Sequence, residues 1–213
     1  MLAAADSQAA RLNWISDQYN ASAINTPSFT VDRGYTGNGS SAYLDSLFNP
    51  FTASGAKYIQ DSAHISIWDL TNRAAKAVSI ETGIFNGSTF QTHINARYTG
   101  DVALGRVNQG VTGAMQPAVT SSNGYYVISR TGATAQAYYK NGALLVSSTV
   151  ASVSLASANA SLPFLAGKNV GGSAVSFSTD QLAAATIGGG LTASDQSSLY
   201  AAIGTYLTAI GAT

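Results

Sequence analysis

The chain has 213 residues, with 10 basic and 10 acidic side chains, two His and no Cys, and only 9% of it is charged. Zero net charge argues against nucleic acid as the main partner, because phosphate binding needs an excess of Lys and Arg. The lack of Cys excludes disulfides and thiolate metal sites. The length suits one large all-β domain able to bury its own core. Ordinary globular chains are about 25% charged. Here Ser, Thr, Asn, Gln, Gly and Ala take that share, and the surface they give suits extracellular particles and sugar ligands.

The first residues carry neither a basic region nor a long apolar core, so no secretory signal is expected, and no apolar run is long enough for a membrane span. Residues 6–19 read as a short amphipathic helix. Leu12, Ile15 and Tyr19 share a face, Trp14 flanks them, and Asp6 or Ser7 serves as cap. Thr26-Pro27 ends that pattern, which divides the chain into an N-terminal helical segment, 1–25, and a β domain, 26–213.

Strands follow one another from residue 28. Between Phe29 and Pro50 lies the densest turn chemistry, with Gly34, Gly37, Asn38 and Gly39 between apolar pieces. Residues 63–70 alternate, with Ile65 and Ile67 on one face and His64, Ser66 and Trp68 on the other. A strand at 77–85 meets Asn86-Gly87, a strong hairpin signal. The return strand, 90–98, sets Phe90, Thr92, Ile94 and Ala96 against Gln91, His93, Asn95 and Arg97. Further strands are expected at 101–108, 125–130, 135–140, 144–150, 162–166 and 174–186, with Asn141-Gly142 and Gly171-Gly172 as turns. Short strands at roughly 8–12-residue spacing point to a β-sandwich. The period then changes. Thr192 to Asp195 resembles a capping box, and Leu199, Ile203, Tyr206, Leu207 and Ile210 recur at helical spacing.

The order GNGSSAYLD, ISIWDL, QAYYKNGALL and FSTDQLAAATIGGGLTASDQSSLYAAIGTYL resembles the concanavalin A-like, laminin-G-like jelly-roll family. More narrowly, TPSFTVDRGYTGNGSSAYLDS, SRTGA and LYAAIGTYL resemble a subgroup of bacteriophage, prophage and gene-transfer-agent particle proteins. The resemblance, over about residues 26–210, implies a jelly-roll sandwich, to which the periodicity adds a short N-terminal helix and a C-terminal amphipathic helix. It also implies a place on a virion or phage-like particle, as tail fibre, head spike or decoration. Such a protein is made in the bacterial cytoplasm without a signal peptide and becomes extracellular on lysis. Its partners would be cell-surface polysaccharide and other virion proteins, and it could be a homo-oligomer.

The residues that enzymes of this family need are incomplete here. Hydrolases of the family use a Glu-based carboxylate pair, but Glu81 is the single Glu here. Jelly-roll lyases use a Q-x-H strand with Tyr and Arg. Gln91-Thr92-His93, Tyr138-Tyr139 and Arg97 or Arg130 offer these types, but the acidic R-x-E-x-R strand is missing. The expectation is therefore a non-enzymatic binder, with a purely structural virion module and a polysaccharide lyase as alternatives. Stacking and hydrogen bonding to sugars need aromatics and amides. Trp68, His93, Asn95, Arg97, Tyr126 and Tyr138 supply them, so a Trp68→Ala, His93→Ala double variant is expected to stay folded and lose adhesion. No cofactor is expected beyond a possible calcium. The resemblance implies a rim site for one, for which Asp32, Asn38, Asp45 and Asp101 are candidate oxygens.

Overall fold

The computed structural model describes residues 2–212. Its strands are β1 (Ser22–Ile24), β2 (Ser28–Thr30), β3 (Gly34–Thr36), β4 (Tyr43–Asp45), β5 (Ala63–Asp69), β6 (Thr82–Asn86), β7 (Phe90–Tyr98), β8 (Val102–Gln109), β9 (Gly124–Gly132), β10 (Ala135–Lys140), β11 (Ala143–Ser148), β12 (Pro163–Phe164), β13 (Gly167–Asn169), β14 (Ala174–Val175) and β15 (Gln181–Gly188). One α-helix, α1 (Ala193–Ala209), follows them.

Two sheets pack face to face as a jelly-roll sandwich. The first is antiparallel throughout, in the order β11-β10-β9-β5-β15-β3-β2. The second runs β1-β4-β12-β6-β13-β14, with β7 on the other side of β6 and β8 on β7. Between them lies the main core, built from the inward positions of each strand. Ile65, Ile67, Tyr126, Ile128 and Tyr138 come from the first sheet, and Ile84, Phe90, Ile94, Ala96 and Val107 from the second. The alternation read from β5 and β7 is the one found.

A third layer covers the first sheet from outside. Leu207 of α1 is buried there against Trp68, Tyr125, Val127 and Ala183, with Leu199, Tyr200, Ile203 and Tyr206 packed alongside. Every residue of β5 is therefore buried, because the core covers one face and α1 the other. The helix begins where the capping box placed it. Thr192 Oγ1 accepts from Asp195 N at 3.2 Å, and Asp195 Oδ2 accepts from Thr192 N at 3.0 Å.

The helix expected over 6–19 is reduced to a 3-10 turn at Ala9–Arg11. Polar side chains take the backbone groups a helix would need. Asn20 Oδ1 accepts from Asn13 N, and Asn13 Nδ2 donates to Gln18 O. The supposed apolar stripe is not buried: Trp14 is 57% exposed and Ile15 92%. Residues 22–24 of that segment form β1 and pair with β4, so they belong to the second sheet. The strand expected at 174–186 is also interrupted. Ser176 has φ +55°, and Ser178 Oγ accepts from Asp180 N, so the chain turns between β14 and β15.

Candidate functional site

The six residues expected to hold sugar do not meet. Tyr126 and Tyr138 lie in the core, ring centroids 6.1 Å apart, fully buried between the sheets. Trp68 faces the other way but lies beneath α1, stacked on Tyr200 at 5.4 Å and 9% exposed. Alternation gave the correct face of β5; it carried no sign that a helix would cover it.

His93, Asn95 and Arg97 do alternate with the core positions of β7, yet they line no open cleft. His93 is 2% exposed, packed against Phe85 at 5.1 Å. Arg106 Nη1 approaches its Nε2 at 3.4 Å, which requires the lone pair there and places the ring proton on Nδ1. Burial, with Arg106 adding to it, pushes His93 down to about 3, so the ring is neutral. Asn95 Oδ1 accepts from Arg73 and from Arg97 N. Arg97 pairs with Asp101 at 2.8 Å.

The lyase set is not assembled either. Tyr138 is in the core, and the Arg130 guanidinium is held by the carbonyls of Val107, Gly132, Ala133 and Val150.

The four candidate calcium ligands are already engaged or apart. Asn38 Oδ1 accepts three backbone N–H groups, from Ser40, Ser41 and Ala42. Asp45 pairs with Lys168 at 2.7 Å and Asp101 with Arg97. Asp32 sits in a turn at φ +58°. A cation already occupies two of the four carboxylates or amides, so these residues do not fit a calcium site. Among the described residues no group of three or more His, Cys, Asp or Glu could hold a metal ion.

An unanticipated ionic cluster joins the sheets. Arg73 Nη2 donates to Glu81 at 2.9 Å and Arg73 Nε to Asp180 at 2.7 Å. Asp69 faces Asp180 with its Oδ2 unpaired, and Asp180 Oδ1 is unpaired as well. Three buried carboxylates around one guanidinium cannot all ionise cheaply. Burial first, then Asp180, raises Asp69 well above the usual range. Burial and Asp180 push Glu81 up to about 8, against the pull of Arg73. The cluster is closed to solvent and serves the fold.

The open concavity lies elsewhere, at the β10–β11 end of the first sheet. It is a groove of about 1130 Å³, lined by residues of β9, β10 and β11, by the loop 113–118 and by Leu191 to Ala193 ahead of α1. α1 reaches the β10–β11 turn, where Gln196 Nε2 donates to Gly142 O at 2.9 Å, and the groove lies along the strands away from that turn. Ser129 fixes its border, accepting from Leu191 N at 2.7 Å and donating to Leu191 O at 2.8 Å. Tyr138 points inward, so its neighbour Tyr139 points out, beside exposed Leu144. Small Ala135 and Ala137 keep the floor low, and exposed Thr131, Thr134, Ser147 and Thr149 supply hydroxyls. Gln136 donates to Gln109 Oε1 at 2.6 Å and keeps its own Oε1 without a partner. No charged side chain lines the groove. Sequence reading chose Tyr126 and Tyr138 and missed this site. Its hydroxyls are indistinguishable in a chain full of Ser and Thr, and the one-residue parity between Tyr138 and Tyr139 was the available signal.

Comparison with protein-family models and with curated proteins finds no match. Solved structures do match in fold. Domain 4 of AbnA, a GH43 extracellular arabinanase from Geobacillus stearothermophilus, in complex with arabinotriose, superposes with TM-score 0.59 at 14% identity, covering 89% of this chain and 92% of that one. Botulinum neurotoxin type C, whose cell entry depends on interaction with two ganglioside molecules, gives TM-score 0.55 at 13% identity, covering 88% and 47%. The binding domain of Paraclostridial Mosquitocidal Protein 1 gives 0.54 at 13%, covering 87% and 48%. The chain thus spans about half the length of the toxin chains it matches and nearly all of the arabinanase domain, and what it shares with them is the β-sandwich fold.

Proposed function

We propose that this chain is a non-enzymatic glycan-binding module that takes a neutral polysaccharide in the β10–β11 groove. The observation that carries the reading is that groove: open and free of charged side chains, with the exposed hydroxyls of Thr131, Thr134, Ser147 and Thr149 and exposed Leu144 along it, and Tyr139 mostly buried at its edge. Sugars are held by apolar faces together with hydroxyls, and Leu144 with the Thr and Ser side chains of the groove presents these. Two structures of like fold support it, one solved with arabinotriose and one from a toxin that interacts with gangliosides. In keeping with the resemblance of its motifs to phage-like particle proteins, the proposed setting is a virion surface, and the proposed ligand a host cell-surface or capsular polysaccharide.

A glycan array followed by calorimetry tests this. Leu144 and Ser147 are exposed, so Leu144→Asp and Ser147→Asp should leave circular dichroism unchanged. Each should weaken binding about tenfold or more by burying an unpaired charge against the sugar. Full binding by both variants would remove the groove as the site. Incubation with uronate polymers should give no rise in the ultraviolet absorbance of unsaturated products; a steady rise would restore the lyase reading.

A second reading, a structural module docked on another virion protein, is favoured by one observation: Leu12, Trp14 and Ile15 are exposed together. An empty glycan array, with the protein still retained on particles, would select it.

A further inference from the structure

A second concavity, sharing no residue with the groove, opens beside α1. Its volume is about 470 Å³, within the range of small-molecule sites. Leu199, Ala202 and Ile203 of α1 form one wall, Ala183 to Ile187 of β15 the floor, and the N-terminal segment the opposite wall. The opening follows from the topology. β3 pairs with β15 only at Gln181 and Leu182, and Ala3 N–H then bonds Ala183 O. Past that point this edge of β15 has no ladder partner among the described residues. The alanines of the floor and of α1 leave the space unfilled, and Phe48 and Phe164 line it further.

One charged residue lines this cleft, Arg11. Its Nε donates to Ser7 O at 3.0 Å, and it takes part in none of the four ion pairs found among the described residues. Trp14 also lines the cleft, its exposed ring edge-on to Tyr206 at 4.8 Å. The cleft is thus mostly apolar, and its one charged residue, Arg11, whose guanidinium sits at its edge beside Ser7 and Tyr35, has no carboxylate in ion-pair range among the described residues.

We infer that this cleft binds a small amphiphile made of an apolar chain and a carboxylate. The chain lies on the alanine floor between α1 and the N-terminal segment, and the carboxylate pairs with Arg11. Apolar walls favour a hydrocarbon and disfavour a sugar, whose hydroxyls would go unbonded there. A planar guanidinium selects a carboxylate over a neutral or cationic head. This inference does not rest on the glycan reading.

Calorimetric titration of the full chain with dodecanoate, below its micelle-forming concentration, tests it. Dodecanol and dodecyltrimethylammonium serve as neutral and cationic comparators. Dodecanoate should bind, and the cation should bind at least about tenfold more weakly, the scale of one charge-assisted hydrogen bond. Arg11→Gln should bring dodecanoate down to the level of dodecanol. Ala202→Trp, at an exposed helix position that lines the cleft, should abolish binding of all three with helicity retained. Absent dodecanoate binding overturns the inference, as does equal affinity for the cation. Loss on Ala202→Trp without loss on Arg11→Gln overturns the carboxylate assignment. If Ala202→Trp does not fold, Arg11→Gln alone decides it.

Discussion

Arg73 carries a large share of what holds the two sheets in register, because one guanidinium answers carboxylates from the approach to β15 and the approach to β6. Removing it leaves buried charge unpaired. Arg73→Met should therefore cost about 3–5 kcal/mol, read from the urea midpoint. The same cluster sets a pH dependence of unusual sign. Asp69 and Glu81 are raised by burial, so the folded state keeps protons that the unfolded state releases. Their contribution is present below the ordinary carboxylate range and is lost as pH rises toward about 8. His93 acts oppositely. Its folded value lies near 3, below its unfolded value, so its contribution is present above that unfolded value and is lost as pH falls through the range between. From these groups stability should be highest at mildly acidic pH, between the ordinary carboxylate and imidazole ranges, and fall on both sides. Asp69→Asn should flatten the alkaline side; an unchanged profile would count against a shared proton. Trp68 and His93 belong to the same scale. Both are packed, so the double alanine variant should lose several kcal/mol of stability, on the order of 3–5 for the Trp alone. It should fail in folding, not selectively in adhesion.

At the scale of elements, local chemistry was legible where it is self-contained. Asn141 and Gly142 have φ of +50° and +80°, the pattern an Asn-Gly hairpin requires, and they join β10 to β11. The cap of α1 was readable from Thr192 and Asp195 alone, and Thr192→Ala should cost about 1 kcal/mol by thermal melting. Gly190, just ahead of that cap, was not readable. A Cβ there would lie 2.1 Å from Arg130 O, so Gly190→Ala should displace the lead-in to α1 and cost more than the lost cap. The N-terminal segment shows where periodicity misleads. Its spacing is helical, but Asn13, Asn20 and Asp6 bond nearby backbone groups instead, and the stripe splits: Tyr19 packs on Phe48 and Trp14 meets Tyr206 edge-on, while Ile15 stays in solvent.

For the whole molecule, three layers share β5, which is buried on both faces, so the sandwich and α1 should unfold together. Fluorescence of Trp68, read in a Trp14→Phe background, and far-ultraviolet circular dichroism should give coincident urea transitions; separate midpoints would show α1 peeling off first. The sequence by itself determined the strand periods, the hairpin turns, the capping box and the neutral surface, since each depends on residues close in the chain. The alternation of β7 and the inward face of β5 belong with these. Only the tertiary structure decided which outward faces stay outward. Trp68 is covered because α1, more than a hundred residues later, lies across it, and the groove stays open along β10 and β11 away from the turn that Gln196 of α1 holds. Burial is a property of what packs on a face, and periodicity describes only the face. For that reason the sugar-binding candidates moved from Trp68 and His93 to a groove whose members, Thr131, Tyr139 and Ser147 among them, carry no local mark of their neighbourhood.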